Sequence, residues 1–199
     1  SMPLDSASLP IRLSYEIESR NPIFSLDGSF VIYTARDRFG NKNLYSIRTN
    51  GKDYKKVTTF NDPADIIFPV GATSIDSTII YIMPSQVNKN QLEIWSINFN
   101  GSNDRFLSTC TLEGDDRPRL SPNGKKLLFQ NDFNLWIMNI DGSDKIRLTD
   151  FPRGHLAYHG QWSPSGSHIV YIHRTGEWGA DSFIEWIRSN GKDFSRCAV

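Results

Sequence analysis

The sequence predicts an all-β chain built from a repeated four-strand unit, and three observations carry that expectation. Every apolar run is short and bounded by Gly, Pro, Asn or Asp, so strands fit and long helices do not. One unit, clearest from Arg117 to Thr149, is written four times, at about residues 21–60, 66–108, 117–149 and 159–198. Gly51, Gly101, Gly142 and Gly191 close equivalent hairpins at separations of 50, 41 and 49 residues. A period of roughly 40 to 50 residues with four strands in each repeat is the pattern of a β-propeller. The expected fold is therefore about four four-stranded antiparallel blades, as a complete ring or as part of a larger one.

In chain order, residues 1–10 are small, polar and Pro-containing, and read as a tail or appended lead before a single domain over 11–199. Ile11-Arg12-Leu13-Ser14 nearly repeats Ile146-Arg147-Leu148-Thr149, so it is expected to be an outer strand. It would pair with the last blade or with another chain, covering an open edge and making a homodimer through edge strands one outcome.

The first copy runs through the turn ending at Gly28, the strands Phe30 to Tyr33 and Leu44 to Ile47, the turn Asn50-Gly51, and Val57-Thr58. The second is worn at Ser74 to Ser77, which lacks Pro and Gly, yet keeps Thr78 to Tyr81, Ile94 to Ile97 and Asn100-Gly101. In the third, Ser121-Pro122-Asn123-Gly124 leads to Leu127 to Phe129, Leu135 to Ile140, Asp141-Gly142 and Ile146 to Thr149. Pro presets φ at the second turn position, Asn tolerates the third, and Gly accepts the left-handed backbone that closes the hairpin. The fourth copy has Trp162-Ser163-Pro164-Ser165-Gly166, His168 to Ile172, Phe183 to Ile187, Asn190-Gly191 and an outer strand at Phe194 to Ala198. With Ile11 to Ser14 also an outer strand, four blades would own one strand too many.

These residues resemble the TolB-type, WD-repeat-like propellers, whose blades carry P-x-W-S-P-D-G, a D-I/L-Y/W strand, D-G and R-L-T. Close versions are Gln161 to Gly166, Leu120 to Gly124 and Ile146 to Thr149. The resemblance spans nearly all of 11–198 and implies a protein-binding scaffold in the periplasm. Shared by proteins with different activities, it specifies fold more than function.

Composition narrows the function classes. The chain has 199 residues, 38% hydrophobic, with 22 basic and 22 acidic side chains, so it has no global field to draw nucleic acid. It contains no membrane-length apolar run and no secretory leader pattern. Lys55-Lys56 and Lys125-Lys126 are isolated pairs at hairpins rather than a basic stripe. Cys110 and Cys197 fall on non-adjacent blades, too far apart for a disulfide. Trp95, Trp136, Trp162 and Trp186 recur at strand positions and are expected in blade cores.

In a propeller, the second-to-third-strand loops and the blade-to-blade connections share one rim, where ligands commonly bind. On it fall Arg38, Phe39, Asp116, Arg117, Tyr158, His159 and Trp178, the candidate binding residues, because Arg and aromatics dominate interface hot spots. His155, His159 and Gln161, with His168 and His173 nearby, invite a metal reading of the kind used by propeller lyases acting on pectin fragments. No G-x-S-x-G elbow accompanies the propeller, so Ser163 is expected to serve its turn. The expected function is a non-catalytic propeller scaffold that binds a protein or peptide partner through the rim, without cofactor, metal or catalytic residue. The alternative is an enzyme or enzyme part: a metal-dependent propeller lyase, or the propeller of a prolyl-oligopeptidase-type serine hydrolase.

Overall fold

The computed structural model describes residues 11–61, 67–73, 77–88, 91–111, 117–176, 181–191 and 194–196. They form sixteen strands and, among the described residues, no helix. The first sheet holds β1 (Ile17–Phe24), β2 (Phe30–Arg36), β3 (Lys42–Arg48) and β4 (Lys55–Lys56). The second holds β5 (Phe68–Thr73), β6 (Thr78–Pro84), β7 (Leu92–Asn98) and β8 (Arg105–Cys110). The third holds β9 (Arg119–Leu120), β10 (Lys126–Asn131), β11 (Asn134–Asn139) and β12 (Ile146–Arg147). The fourth holds β13 (His155–Trp162), β14 (His168–Thr175), β15 (Ser182–Arg188) and β16 (Phe194–Arg196). Each sheet is an antiparallel meander in chain order, the blade of a propeller.

The turn chemistry repeats atom for atom. The hydroxyls of Ser25, Ser121 and Ser163 accept the backbone N–H five residues on, from Phe30, Lys126 and His168, at 3.0, 2.9 and 3.1 Å. Ser163 thus serves the turn, as its setting predicts. Gly124 and Gly142 hold φ of 72° and 86°, conformations that a Cβ would strain. The R-L-T ending works through its threonine. Thr149 Oγ1 donates to Asn134 Oδ1 at 3.0 Å and accepts Leu135 N–H at 3.0 Å, and Asn134 Oδ1 also accepts Phe151 N–H at 3.0 Å. Thr58, Asn43, Leu44 and Phe60 make the same network one pair of blades earlier.

Side chains alternate between the two faces of each sheet, so every blade shows one face to the blade before and one to the blade after. Ile32 and Leu44 meet Ile79, Tyr81 and Ile97 between the first two sheets. Ile80, Ile82 and Ile94 meet Leu127, Phe129 and Met138 between the second and third. Leu128, Leu135 and Ile137 meet Ile169, Tyr171 and Ile187 between the third and fourth. Inner strands approach closely: a Cβ on Gly71 would stand 2.9 Å from Leu120 Cβ, and one on Gly160 2.9 Å from a Leu128 methyl. The result is an arc of four blades.

The first of two departures from expectation concerns Ile11 to Ser14, which form no strand. Leu13 instead packs on the front face of the first sheet, against the cluster of Tyr33, Tyr45 and Ile47, and Glu16 accepts the Tyr33 hydroxyl at 2.9 Å. An exposed apolar blade face attracted this segment more strongly than a sheet edge, while β16 already completes the fourth sheet. The second departure is Trp186. Trp95, Trp136 and Trp162 pack against blade cores, but Trp186 pairs with Val170 on the fourth sheet's outer face and meets the His168 ring at 4.9 Å.

Candidate functional site

On the rim, the β2–β3 turn is fixed from below. In the β2–β3 turn, Asp37 accepts the backbone N–H of Phe39 at 2.9 Å and of Asn41 at 3.0 Å, and takes the Lys56 ammonium at 2.7 Å. That ammonium holds the Asp37 carboxyl below the usual range. On this fixed turn Phe39 stands 71% exposed, with the Arg38 guanidinium 4.7 Å over its ring. An aromatic displayed this way has no folding role to explain it.

The other rim residues take different settings. Arg117 lies over the Phe68 ring at 4.4 Å, and Lys42 approaches the same ring at 5.8 Å. Tyr158 and His159 stack edge to face at 4.9 Å, with His159 at φ 55° in the bulge of β13. Asp116 and Trp178 lie outside the described residues, as does Cys197. Arg38 and Phe39 stand on the first blade and Tyr158 and His159 on the fourth.

Below Arg117, the inner ends of all four sheets border a groove of about 470 Å³, lined by Phe24, Leu26, Val70, Pro122, Gln161 and Trp162 among others. Arg117 and Arg119 both line it, and among the described residues no Asp or Glu does. The Gln161 carboxamide orients its oxygen to accept the Arg119 guanidinium at 3.0 Å, and the Trp162 indole N–H donates to Arg119 O at 3.0 Å. The residues of the metal reading come together only in part: Gln161 turns to Arg119, His159 stacks on Tyr158 and His168 on Trp186, while His155 meets His173.

That last contact belongs to a cluster of which the sequence singled out the two histidines but not Glu185 or Tyr171. His155 Nδ1 is 3.0 Å from His173 Nε2, His173 Nδ1 is 3.2 Å from Glu185 Oε1, and the Tyr171 hydroxyl donates to Glu185 Oε2 at 2.9 Å. Phe151, placed by the Asn134 network, stacks on His173 at 3.8 Å. Glu185 and His173 are 1% and 2% exposed. A signal was present in the repeat. The cross-strand partner of the blade aromatic is Tyr45 opposite Tyr33, Trp95 opposite Tyr81 and Trp136 opposite Phe129, but Glu185 opposite Tyr171.

No family model and no curated protein matches the sequence. Solved structures do. A putative TolB from Agrobacterium tumefaciens superposes with a TM-score of 0.65 at 17% identity, over 94% of this chain and 67% of that one. The fold is that of the TolB-type propellers. TolB from Acinetobacter baumannii gives 0.61 at 16% identity, over 87% of this chain and 42% of that one. Oligogalacturonate lyase from Vibrio parahaemolyticus gives 0.67 at 14% identity, over 92% and 54%. The chain thus spans between about two-fifths and two-thirds of these three proteins, and at such identities the likeness concerns the fold.

Proposed function

We propose that this TolB-type propeller is a scaffold that binds a protein or peptide partner through its loop rim and the mouth of the groove. The observation that carries the reading is the Arg38–Phe39 pair, exposed on a turn already fixed by Asp37. A rigid exposed aromatic beside a guanidinium loses little entropy on binding and offers a large contact area, the character of a hot spot. Arg117, Tyr158 and His159 are the further candidates of this reading, with Asp116 and Trp178 included from the sequence alone.

The test is capture of partners from the source organism by immobilised protein, comparing wild type with a variant carrying Arg38→Ala, Phe39→Ala and Trp178→Ala. Binding is expected to fall while the melting temperature is unchanged, each side chain contributing on the order of 1 to 3 kcal/mol. The same proteins captured by both forms would move the binding face elsewhere.

A further inference from the structure

We propose that Glu185, His173 and His155 form a proton relay that sets His155 Nε2 as a base at the rim, for a ligand carrying a hydroxyl or protonated amine. The inference does not rest on partner binding. It begins from Glu185, a carboxylate buried where three other blades place Tyr45, Trp95 and Trp136. A packed aromatic would stabilise the blade at least as well, because burying a charge is costly unless the group is fully paired.

The pairing determines where each proton resides. Glu185 accepts on both oxygens, from the Tyr171 hydroxyl and from His173 Nδ1, so the His173 ring carries its proton on Nδ1. His173 Nε2 is then an acceptor. With that ring neutral, its partner at 3.0 Å, His155 Nδ1, is the donor. His155 therefore has a lone pair on Nε2, and among the described residues that nitrogen meets no protein group. His155 is half-buried at the start of β13, on the rim side of the blade, whereas the two groups behind it are enclosed.

The transfer balances without another reactant. His155 Nε2 takes the proton of a ligand O–H or N–H, leaving the electron pair on the ligand atom. The Nδ1 proton of His155 moves to His173 Nε2, and the cation comes to rest on His173, between the Glu185 carboxylate and the face of Phe151. Return of the proton from His155 Nε2 to the ligand reverses both movements. His173 and Glu185 are positioning residues, since they act through His155.

Nitrogen-15 spectra of the full chain at neutral pH give the tautomers directly. His155 is expected to carry its proton on Nδ1, the reverse of the form free histidine prefers, and His173 likewise on Nδ1. Reaction of His155 with diethyl pyrocarbonate, read by peptide mass, is expected to fall about tenfold in Glu185→Gln, the effect of losing one hydrogen bond to a charged group. A wild-type His155 protonated on Nε2 would overturn the proposal, as would unchanged reactivity in a folded Glu185→Gln. If Glu185→Gln does not fold, the wild-type spectrum alone decides.

Discussion

At the scale of single residues, the first blade gathers three phenols around one carboxylate. Tyr33 and Tyr45 stack at 5.6 Å, Tyr45 and Tyr54 at 5.9 Å, and Glu16 takes the Tyr33 hydroxyl. Burial pushes the Tyr45 hydroxyl up to about 12, with the charges of Asp37 and Glu16 adding to it, and raises Tyr33 and Tyr54 in the same direction. The unfolded chain ionises near the ordinary value of about 10 while the folded one holds its protons. The contribution to stability is therefore complete below about pH 10 and is lost as pH rises through the folded value. Urea unfolding at about pH 8 and about pH 11 should show wild type losing on the order of 1 kcal/mol more than Tyr45→Phe. Equal losses would place the alkaline sensitivity in other groups. The Glu185 cluster belongs to this scale as well: Glu185→Ala leaves the buried His173 N–H without its carboxylate and should cost about 1 to 3 kcal/mol in thermal or chemical melts.

At the scale of elements, two short segments do more than their length suggests. The Asn134–Thr149–Phe151 network ends the third blade and starts the connection to the fourth, setting Phe151 over His173. Thr149→Val keeps the shape but leaves Asn134 Oδ1 and Leu135 N–H short of a buried partner, and should destabilise by about 1 to 3 kcal/mol. Calorimetry showing no change would remove the network from the account. Residues 11–16 form the second segment. Because Leu13 packs on the Tyr33 and Tyr45 face, Leu13→Asp should lower the melting temperature and increase binding of a hydrophobic dye, without changing molecular mass. A change of mass instead would indicate that the segment joins copies by edge pairing.

At the scale of the whole molecule, the blades are unequal because they have unequal neighbours. Ile80 and Ile94 face the third sheet and are 1% and 0% exposed, whereas Val170 and Ile184, at the same repeat positions of the fourth, are 41% and 62% exposed. Ile94→Ala should cost about 2 to 5 kcal/mol by opening a cavity, and Ile184→Ala well under 1 kcal/mol. Comparable losses would mean that the outer face of the fourth sheet is covered in solution.

The sequence by itself determined the blade count, the strand order and the turns. Those features rest on local chemistry: the Ser, Pro and Gly of each turn and the two-residue alternation of each strand act within a few residues of themselves. It also marked Arg38, Phe39 and Arg117 as surface candidates, since loop positions follow from the repeat. Only the tertiary structure decided where Ile11 to Ser14 go, because the choice between a sheet edge and a blade face depends on which apolar surface stands uncovered. It likewise decided that His155 meets His173 rather than His159 and Gln161. Residues 155 and 173 lie at the rim ends of paired strands, and the bulge at His159 turns that side chain out of the register that alternation alone would give it. Contact between distant residues is a property of register and packing, and no local pattern carries it.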